Sequence, residues 1–143
     1  MRLLGASMDL SIVKKIEEGN AFDEQGKHHE AIAIYLSVFN ELKEVSTSFF
    51  QLEETRWVIS CIFNSYFSLR EYVTAKQWAT DIFKCNIPDK GTSELIDLGS
   101  VCFELGENDE AYECFLKAYE KGKYRAFKEY DPKYWEYFKS KHK

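Results

Sequence analysis

Residues 98–122 read LGSVCFELGENDEAYECFLKAYEKG, and this stretch decides the fold. Small and apolar residues recur at helical spacing on both sides of Gly106, where a turn between two helices needs a residue that tolerates positive φ. We expect Asn108 and Asp109 to cap the second helix, since both residue types accept hydrogen bonds at helix starts. The stretch therefore predicts two amphipathic helices, joined by a short turn and built to pack against neighbours.

The same arrangement occurs near the start of the chain. Twelve residues separate Gly19 from Ala31, as they separate Gly99 from Ala111, and Gly26 occupies the turn position. A small residue on each helix of such a pair lets the two backbones approach closely. The sequence therefore predicts that these positions form close contacts within each pair of helices.

A weaker copy lies in the middle of the chain, over residues 59–82. Here Phe63 replaces the small residue and Arg70 replaces the turn glycine, and we expect Pro88 to end the copy. Ser48 and Gln51 fit a capping box, which predicts that the first helix of this copy begins near residue 48.

The three copies resemble the tetratricopeptide repeat (TPR) family, a stack of helix–turn–helix units about 34 residues long. The resemblance implies an all-α, TPR-like stack of about three helix–turn–helix repeats with a C-terminal capping helix. The implied organisation is an N-terminal leader or frayed end at 1–11, repeats within 12–125 (12–45, 48–88 and 92–123), and a C-terminal capping helix with a basic tail at 126–143.

The last residues of the chain carry a helix-start signal. Asp131 is suited to the N-cap and Pro132 to the first turn, and Tyr134, Trp135 and Phe138 would give the helix an apolar face. A terminal repeat needs such a cap to cover its apolar side. This ending resembles that of small bacterial TPR proteins, some of which are of the toxin-immunity type.

Charge is distributed unevenly along the 143 residues, whose net charge is −5. Residues 1–116 hold 20 acidic and 10 basic residues, a balance of −10, whereas residues 117–143 hold 4 acidic and 9 basic residues, a balance of +5. An acidic body argues against nucleic-acid binding, which needs cations against phosphates. It would attract a basic partner, although ordinary solubility explains it equally well. No apolar run is long enough to predict a membrane span.

Chemistry-bearing motifs are not recognisable in this sequence. The four cysteines form no CxxC pair and suit a reduced core, which indicates a cytoplasmic protein. Phosphate-binding glycine loops and HExxH are missing, and adjacent His28 and His29 in an inter-helix turn make a poor metal site. We therefore expect no enzyme activity, no cofactor and no metal.

The resemblance implies that helix A, the first helix of each repeat, lines a concave surface. We use the term helix-A surface for the face of these first helices on which the predicted site residues lie. Its predicted partner-binding residues combine acids, aromatics and small polar groups, with no lysine or arginine: Glu17, Asn20, Asp23, Glu24, Trp57, Asn64, Phe67, Asp97, Ser100, Phe103 and Glu104. Aromatic anchors among acids suit a basic protein surface. The alternative is that Trp57 and Phe67 pack under the C-terminal helix and leave no open groove.

Two functions follow from these expectations. One is a bacterial immunity protein that binds and blocks a cognate toxin, and the other is a TPR adaptor, scaffold or secretion chaperone that holds a peptide or helix. A clamp for chaperone C-termini is disfavoured, because Asp97 stands where that clamp has an arginine and would repel a carboxylate. Self-association through Phe49, Phe50 or the C-terminal aromatics stays open.

Overall fold

A computed structural model describes residues 9–143, so most of the predicted leader at 1–11 lies outside the described residues. Seven α-helices occur in this range: α1 (Leu10–Glu24), α2 (His28–Val45), α3 (Glu53–Ser68), α4 (Tyr72–Asp81), α5 (Ser93–Glu104), α6 (Asn108–Gly122) and α7 (Pro132–Lys141). Short 3-10 turns occupy Phe49–Gln51, Ile82–Lys84 and Lys123–Phe127. From residue 9 onwards there is no strand, which confirms the predicted all-α class.

Three hairpins, α1–α2, α3–α4 and α5–α6, follow one another along the chain, and each helix packs on the next. The turns inside the hairpins reverse the chain through left-handed backbone at Gly26 (φ 77°), Arg70 (φ 61°) and Gly106 (φ 79°). Glycine adopts this conformation without a Cβ penalty, whereas Arg70 adopts it at some cost. The three turn positions are those that the sequence predicted.

Close helix packing inside the first and third hairpins depends on glycine. The ring of Tyr35 lies against Gly19, and that of Phe115 lies against Gly99, so that a Cβ on either glycine would overlap the ring. Tyr35 and Phe115 are fully buried. The predicted close contacts are therefore present in both hairpins, and each fills the space above a missing side chain with an aromatic ring.

Two of the predicted helix starts are wrong. Ser48 makes no capping hydrogen bond, because Phe49 and the next two residues form a 3-10 turn and α3 begins only at Glu53. The carbonyl of Phe49 instead accepts a hydrogen bond from Thr55 Oγ1 at 2.6 Å. Asn108 is the first residue inside α6 rather than its cap, and no side chain caps that helix.

The second hairpin ends earlier than Pro88 suggested. Helix α4 stops at Asp81, and the 3-10 turn that follows buries Ile82 and leads to the buried Cys85. Residues 86–91 then form an irregular linker to α5. The proline is therefore part of the linker, and the helix ends before it.

Helix α7 covers the open side of the third hairpin. Asp131 caps it as predicted, since its side chain accepts a hydrogen bond from the Lys133 backbone N–H at 3.0 Å. Tyr134 and Phe138 are buried, and the Phe138 ring lies 5.5 Å from that of Phe127 and 5.5 Å from that of Tyr112. The apolar face of the last repeat is thereby removed from water, as a terminal cap requires.

Candidate protein-binding surface

The predicted site residues lie on α1, α3 and α5, and the structure divides them into three groups by exposure. Glu17, Glu24 and Asn64 are exposed on their helices. The remaining residues are half-buried, apart from Ser100, which is buried. The three exposed residues are therefore free to meet a partner, whereas the others depend on their local contacts.

Asn20 and Asp23 are engaged with Tyr35 of the neighbouring helix α2. The Tyr35 hydroxyl lies 2.6 Å from Asn20 Oδ1 and 2.8 Å from Asp23 Oδ2. Burial, together with the hydrogen bond to Asp23, raises the pKa of Tyr35 well above its usual range. Its hydroxyl therefore stays protonated and acts as a hydrogen-bond donor inside the first hairpin.

The carboxylate of Asp23 also joins the first hairpin to the second. It accepts a hydrogen bond from Ser65 Oγ of α3, at 2.8 Å, and lies 2.8 Å from Nδ1 of His28. Ser65 and His28 both bond to the carboxylate rather than to each other, which is not the arrangement that activates a serine nucleophile. We refer to Asp23, Ser65, His28, Asn20 and Tyr35 together as the Asp23 network. Its hydrogen bonds connect α1, α2 and α3 and so stabilise their packing.

Phe103 and Glu104 lie beneath α7. Glu104 accepts a hydrogen bond from the Tyr134 hydroxyl at 2.7 Å and pairs with Lys133 Nζ at 2.7 Å. The Phe103 ring packs edge-on against Tyr134, with centroids 5.7 Å apart. The alternative of a C-terminal helix that covers the helix-A surface therefore describes the end of α5, where Phe103 is the covered aromatic.

Trp57 lies at a cleft of about 470 Å³ that separates the first two turns of α3 from the start of α5. We call it the Trp57 cleft. The residues that line it come from α3, from the linker and from α5: Glu53, Arg56, Trp57, Ser60, Pro88, Gly91, Ser93 and Glu94. Trp57 is half-buried and also packs against the core formed by α1, α2 and α3. It therefore forms both a wall of the cleft and part of the core.

Phe67 takes no part in this cleft. Its ring lies 5.5 Å from that of Phe63 and 5.2 Å, edge-on, from that of Tyr72. These contacts hold the end of α3 against α4. Phe67 also packs against the core cluster that includes Tyr134 and Phe138 of α7, so it joins the second hairpin to the C-terminal part of the fold.

Asp97 and Ser100 lie in the middle of α5. Burial, and then the nearby charge of Glu94, raise the pKa of Asp97 from 3.8 to about 7, and a hydrogen bond from Tyr130 acts in the opposite direction. The buried Ser100 Oγ has no hydrogen-bond partner among residues 9–143. The carboxyl group of Asp97 thus lies in a poorly solvated place, and no ion pair balances its charge within residues 9–143.

The sequence did not indicate several of the residues that define this surface. Glu53, Arg56 and Glu94 are not among the predicted site residues, because the linker at 86–91 brings α5 towards α3 in a way that no local motif encodes. His28 was placed in a turn, but it begins α2 and contacts Asp23. His28 follows Asp23 by five positions, a separation that suits a contact across the turn between α1 and α2.

Comparison with known proteins addresses the fold. No family model matches the chain, and no curated protein matches it in sequence. Among solved structures, it is similar to the C-terminal TPR-containing domain of an FK506-binding protein from Plasmodium falciparum, with a TM-score of 0.64 and 21% identity over 92% of this chain and 85% of that one. At this level of identity the likeness shows the fold alone. The fold is TPR-like.

In this TPR-like fold α1, α3 and α5 are the first helices of the three hairpins, the position termed helix A above. The residues at the chaperone-clamp positions do not form a carboxylate clamp here. Ile16 is fully buried, and Asp97 carries the wrong charge for a carboxylate ligand. None of the helices within residues 9–143 is long and apolar enough to cross a bilayer.

One group of possible metal ligands occurs in the described part of this TPR-like chain. Cys102, Glu107 and Glu110 place ligand atoms within 4.8 Å of one another. The ammonium of Lys76 already lies 2.9 Å from Glu107 and 3.1 Å from Glu110. Burial raises the pKa of Cys102 to about 12, so that its thiol stays protonated at neutral pH. These residues fit an ion pair between α4 and α6 better than a metal centre.

Proposed function

We propose that this chain is a protein-binding module that binds and blocks a partner with a basic surface through its helix-A surface. The observation that carries the proposal is a set of carboxylates on this side that form no ion pair within residues 9–143: Glu17, Glu24, Glu53 and Glu94. Unpaired charges of one sign steer and orient a partner of the opposite sign.

The most specific form of this proposal is a bacterial immunity protein that neutralises a cognate toxin in the cytoplasm. Toxins that act on nucleic acid need basic surfaces, and an acidic protein that covers such a surface prevents substrate from reaching it. Co-expression with the toxin encoded beside the native gene is expected to restore growth. Failure to protect against any adjacent toxin would remove this form of the proposal.

Photo-crosslinking tests which side of the molecule binds the partner. A photo-reactive amino acid in place of exposed Asn64 on α3 is expected to crosslink to the partner. The same amino acid in place of exposed Gln77 on α4 is expected not to, because Gln77 lies on the second helix of the hairpin. Crosslinking at position 77 alone would place the binding surface on the opposite side.

An adaptor that holds a peptide is the second candidate, and the Trp57 cleft favours it. A cleft of about 470 Å³ takes a few side chains of an extended segment rather than a broad protein surface. An adaptor is expected to bind a short segment of its partner with most of the affinity of the whole protein. It would give no growth protection, which separates it from the immunity protein.

A further inference from the structure

We propose that the Trp57 cleft binds the guanidinium group of an arginine side chain presented by the partner. This inference rests on the proposed function, and it names the chemical group that the helix-A surface recognises. The cleft, its aromatic wall and its unbalanced charge each support it.

The shape of the cleft suits a long side chain with a flat end. Trp57 supplies an aromatic wall, and Ser60, Pro88 and Gly91 are among the other residues of the lining. A guanidinium group stacks on an indole ring through cation–π attraction, which is strongest for tryptophan. A cleft of about 470 Å³ is large enough for one arginine side chain and the adjoining backbone.

The charge of the cleft favours a cation. Glu53 at the start of α3 and Glu94 at the start of α5 line it, and neither is in an ion pair within the described residues. Asp97 lies one turn beyond Glu94, whose charge helps to raise the pKa of Asp97. Glu94 and Asp97, both on α5, therefore repel one another, and an incoming cation would relieve this repulsion.

Arg56 is the cation in the lining, and it points towards the linker. Its Nη1 donates a hydrogen bond to the carbonyl of Asn86 at 3.2 Å, and it also lines a neighbouring cleft beside Leu52 and Ile87. The arginine is therefore engaged at one edge, while Glu94 lies on the α5 wall. Two carboxylates against one engaged guanidinium leave the cleft net negative, which disfavours phosphate or carboxylate ligands.

Arginine is preferred to lysine for geometric reasons. The guanidinium offers five N–H donors in a plane, so that one face can stack on Trp57 while the edge donates to carboxylate and hydroxyl oxygens. Glu53, Glu94 and Ser60 supply such oxygens around the same cleft. A lysine ammonium would keep the charge attraction but lose the stacking.

The test titrates the full-length chain with the peptides Ac-Ala-Ala-X-Ala-Ala-NH2, where X is arginine, citrulline, lysine or glutamate. The readout is the NMR signal of the Trp57 indole N–H, assigned with a Trp57→Phe variant, and Trp78 and Trp135 serve as internal references. The arginine peptide is expected to shift the Trp57 signal and to bind at least about fivefold more tightly than the citrulline peptide, which has the same shape without the charge.

Two glutamate variants complete the test. Glu94→Gln is expected to weaken arginine-peptide binding about fivefold, whereas Glu44→Gln, the same change at an exposed position on α2, leaves it unchanged. Equal binding of the arginine and citrulline peptides, or an unshifted Trp57 signal, would overturn the inference. The partner would still crosslink at position 64 in that case, so failure of this inference is distinguishable from failure of the proposed function.

Discussion

The ring of Phe115 on α6 occupies the space that a side chain on Gly99 of α5 would need. A Cβ at this glycine would lie 2.5 Å from Cε1 of Phe115, well inside van der Waals contact. The Cβ of Cys114 would also lie only 3.2 Å from the added Cβ, and Phe115 is fully buried, which leaves its ring little room to move. The close packing of α5 against α6 therefore depends on the absence of a side chain at residue 99.

Gly99→Ala is expected to lower the free energy of unfolding by about 1–3 kcal/mol through overpacking, despite the better helix propensity of alanine. Urea denaturation followed by circular dichroism measures the effect. The double variant Gly99→Ala with Phe115→Leu is the control, and it is expected to recover part of the loss relative to Phe115→Leu alone. Unchanged stability of Gly99→Ala would show that the hairpin can open without cost.

These glycines also show how much of the fold the sequence predicted. Gly26 and Gly106 stand at turns with positive φ, and Gly19 and Gly99 face aromatic rings. Both constraints favour glycine, and a glycine at helical spacing is recognisable in a single sequence. Helix starts were less predictable. Ser48 fits a capping pattern, but Phe49 packs edge-on against Phe39 and its segment forms a 3-10 turn, so α3 begins later.

The Asp23 network is expected to stabilise the junction of the first two hairpins. Asp23→Ala leaves the buried Ser65 hydroxyl without its acceptor and leaves Asn20 as the remaining acceptor of Tyr35, so it should lower the free energy of unfolding by about 1–3 kcal/mol. Glu24→Ala, at the exposed neighbouring position, is the matched control and should change stability little. Equal effects of the two substitutions in urea denaturation would contradict the structural role of Asp23.

Such a network lies beyond single-sequence prediction. Asp23 and Ser65 are 42 residues apart, and their contact depends on how α1 and α3 lie against each other. The sequence identified Asp23 and Asn20 as polar residues on the helix-A surface, but it could not tell residues that face a partner from residues that face a neighbouring helix. For the same reason, the sequence could not show that Phe103 would be the aromatic residue that packs against Tyr134 of α7.

Asp97 is expected to make stability depend on pH. Because its pKa is raised to about 7 in the folded chain from an ordinary value of 3.8, ionisation opposes folding, and this penalty grows as pH rises from about 4 to 7. Asp97→Asn should therefore be more stable than the unmodified chain at pH 8 by about 1–3 kcal/mol, with partial exposure reducing the effect. The two should be similar at pH 4.

Urea denaturation at pH 4, 6 and 8 tests this expectation, with Asp89→Asn in the exposed linker as the control. A gain in stability that is the same at pH 4 and pH 8 would show that the amide improves packing rather than removing a charge.

The thiols of the folded chain are expected to react slowly. Burial raises the pKa of Cys61 to about 11, of Cys85 to about 11 and of Cys102 to about 12, and it also raises that of Cys114. Since the thiolate is the reactive form, labelling with Ellman's reagent at pH 7.5 should be at least about tenfold slower than in guanidinium chloride. Half-buried Cys61 should react first. Equal rates in the folded and unfolded chains would contradict the buried positions.

Amide hydrogen exchange of the chain with and without its bound partner tests the central claim most directly, because it reports on every helix in a single experiment. Binding through the helix-A surface predicts new protection in α3 and α5, strongest over residues 53–60 and 93–100, with α4 and α6 unchanged. Protection confined to α2, α4 and α6 would contradict the account.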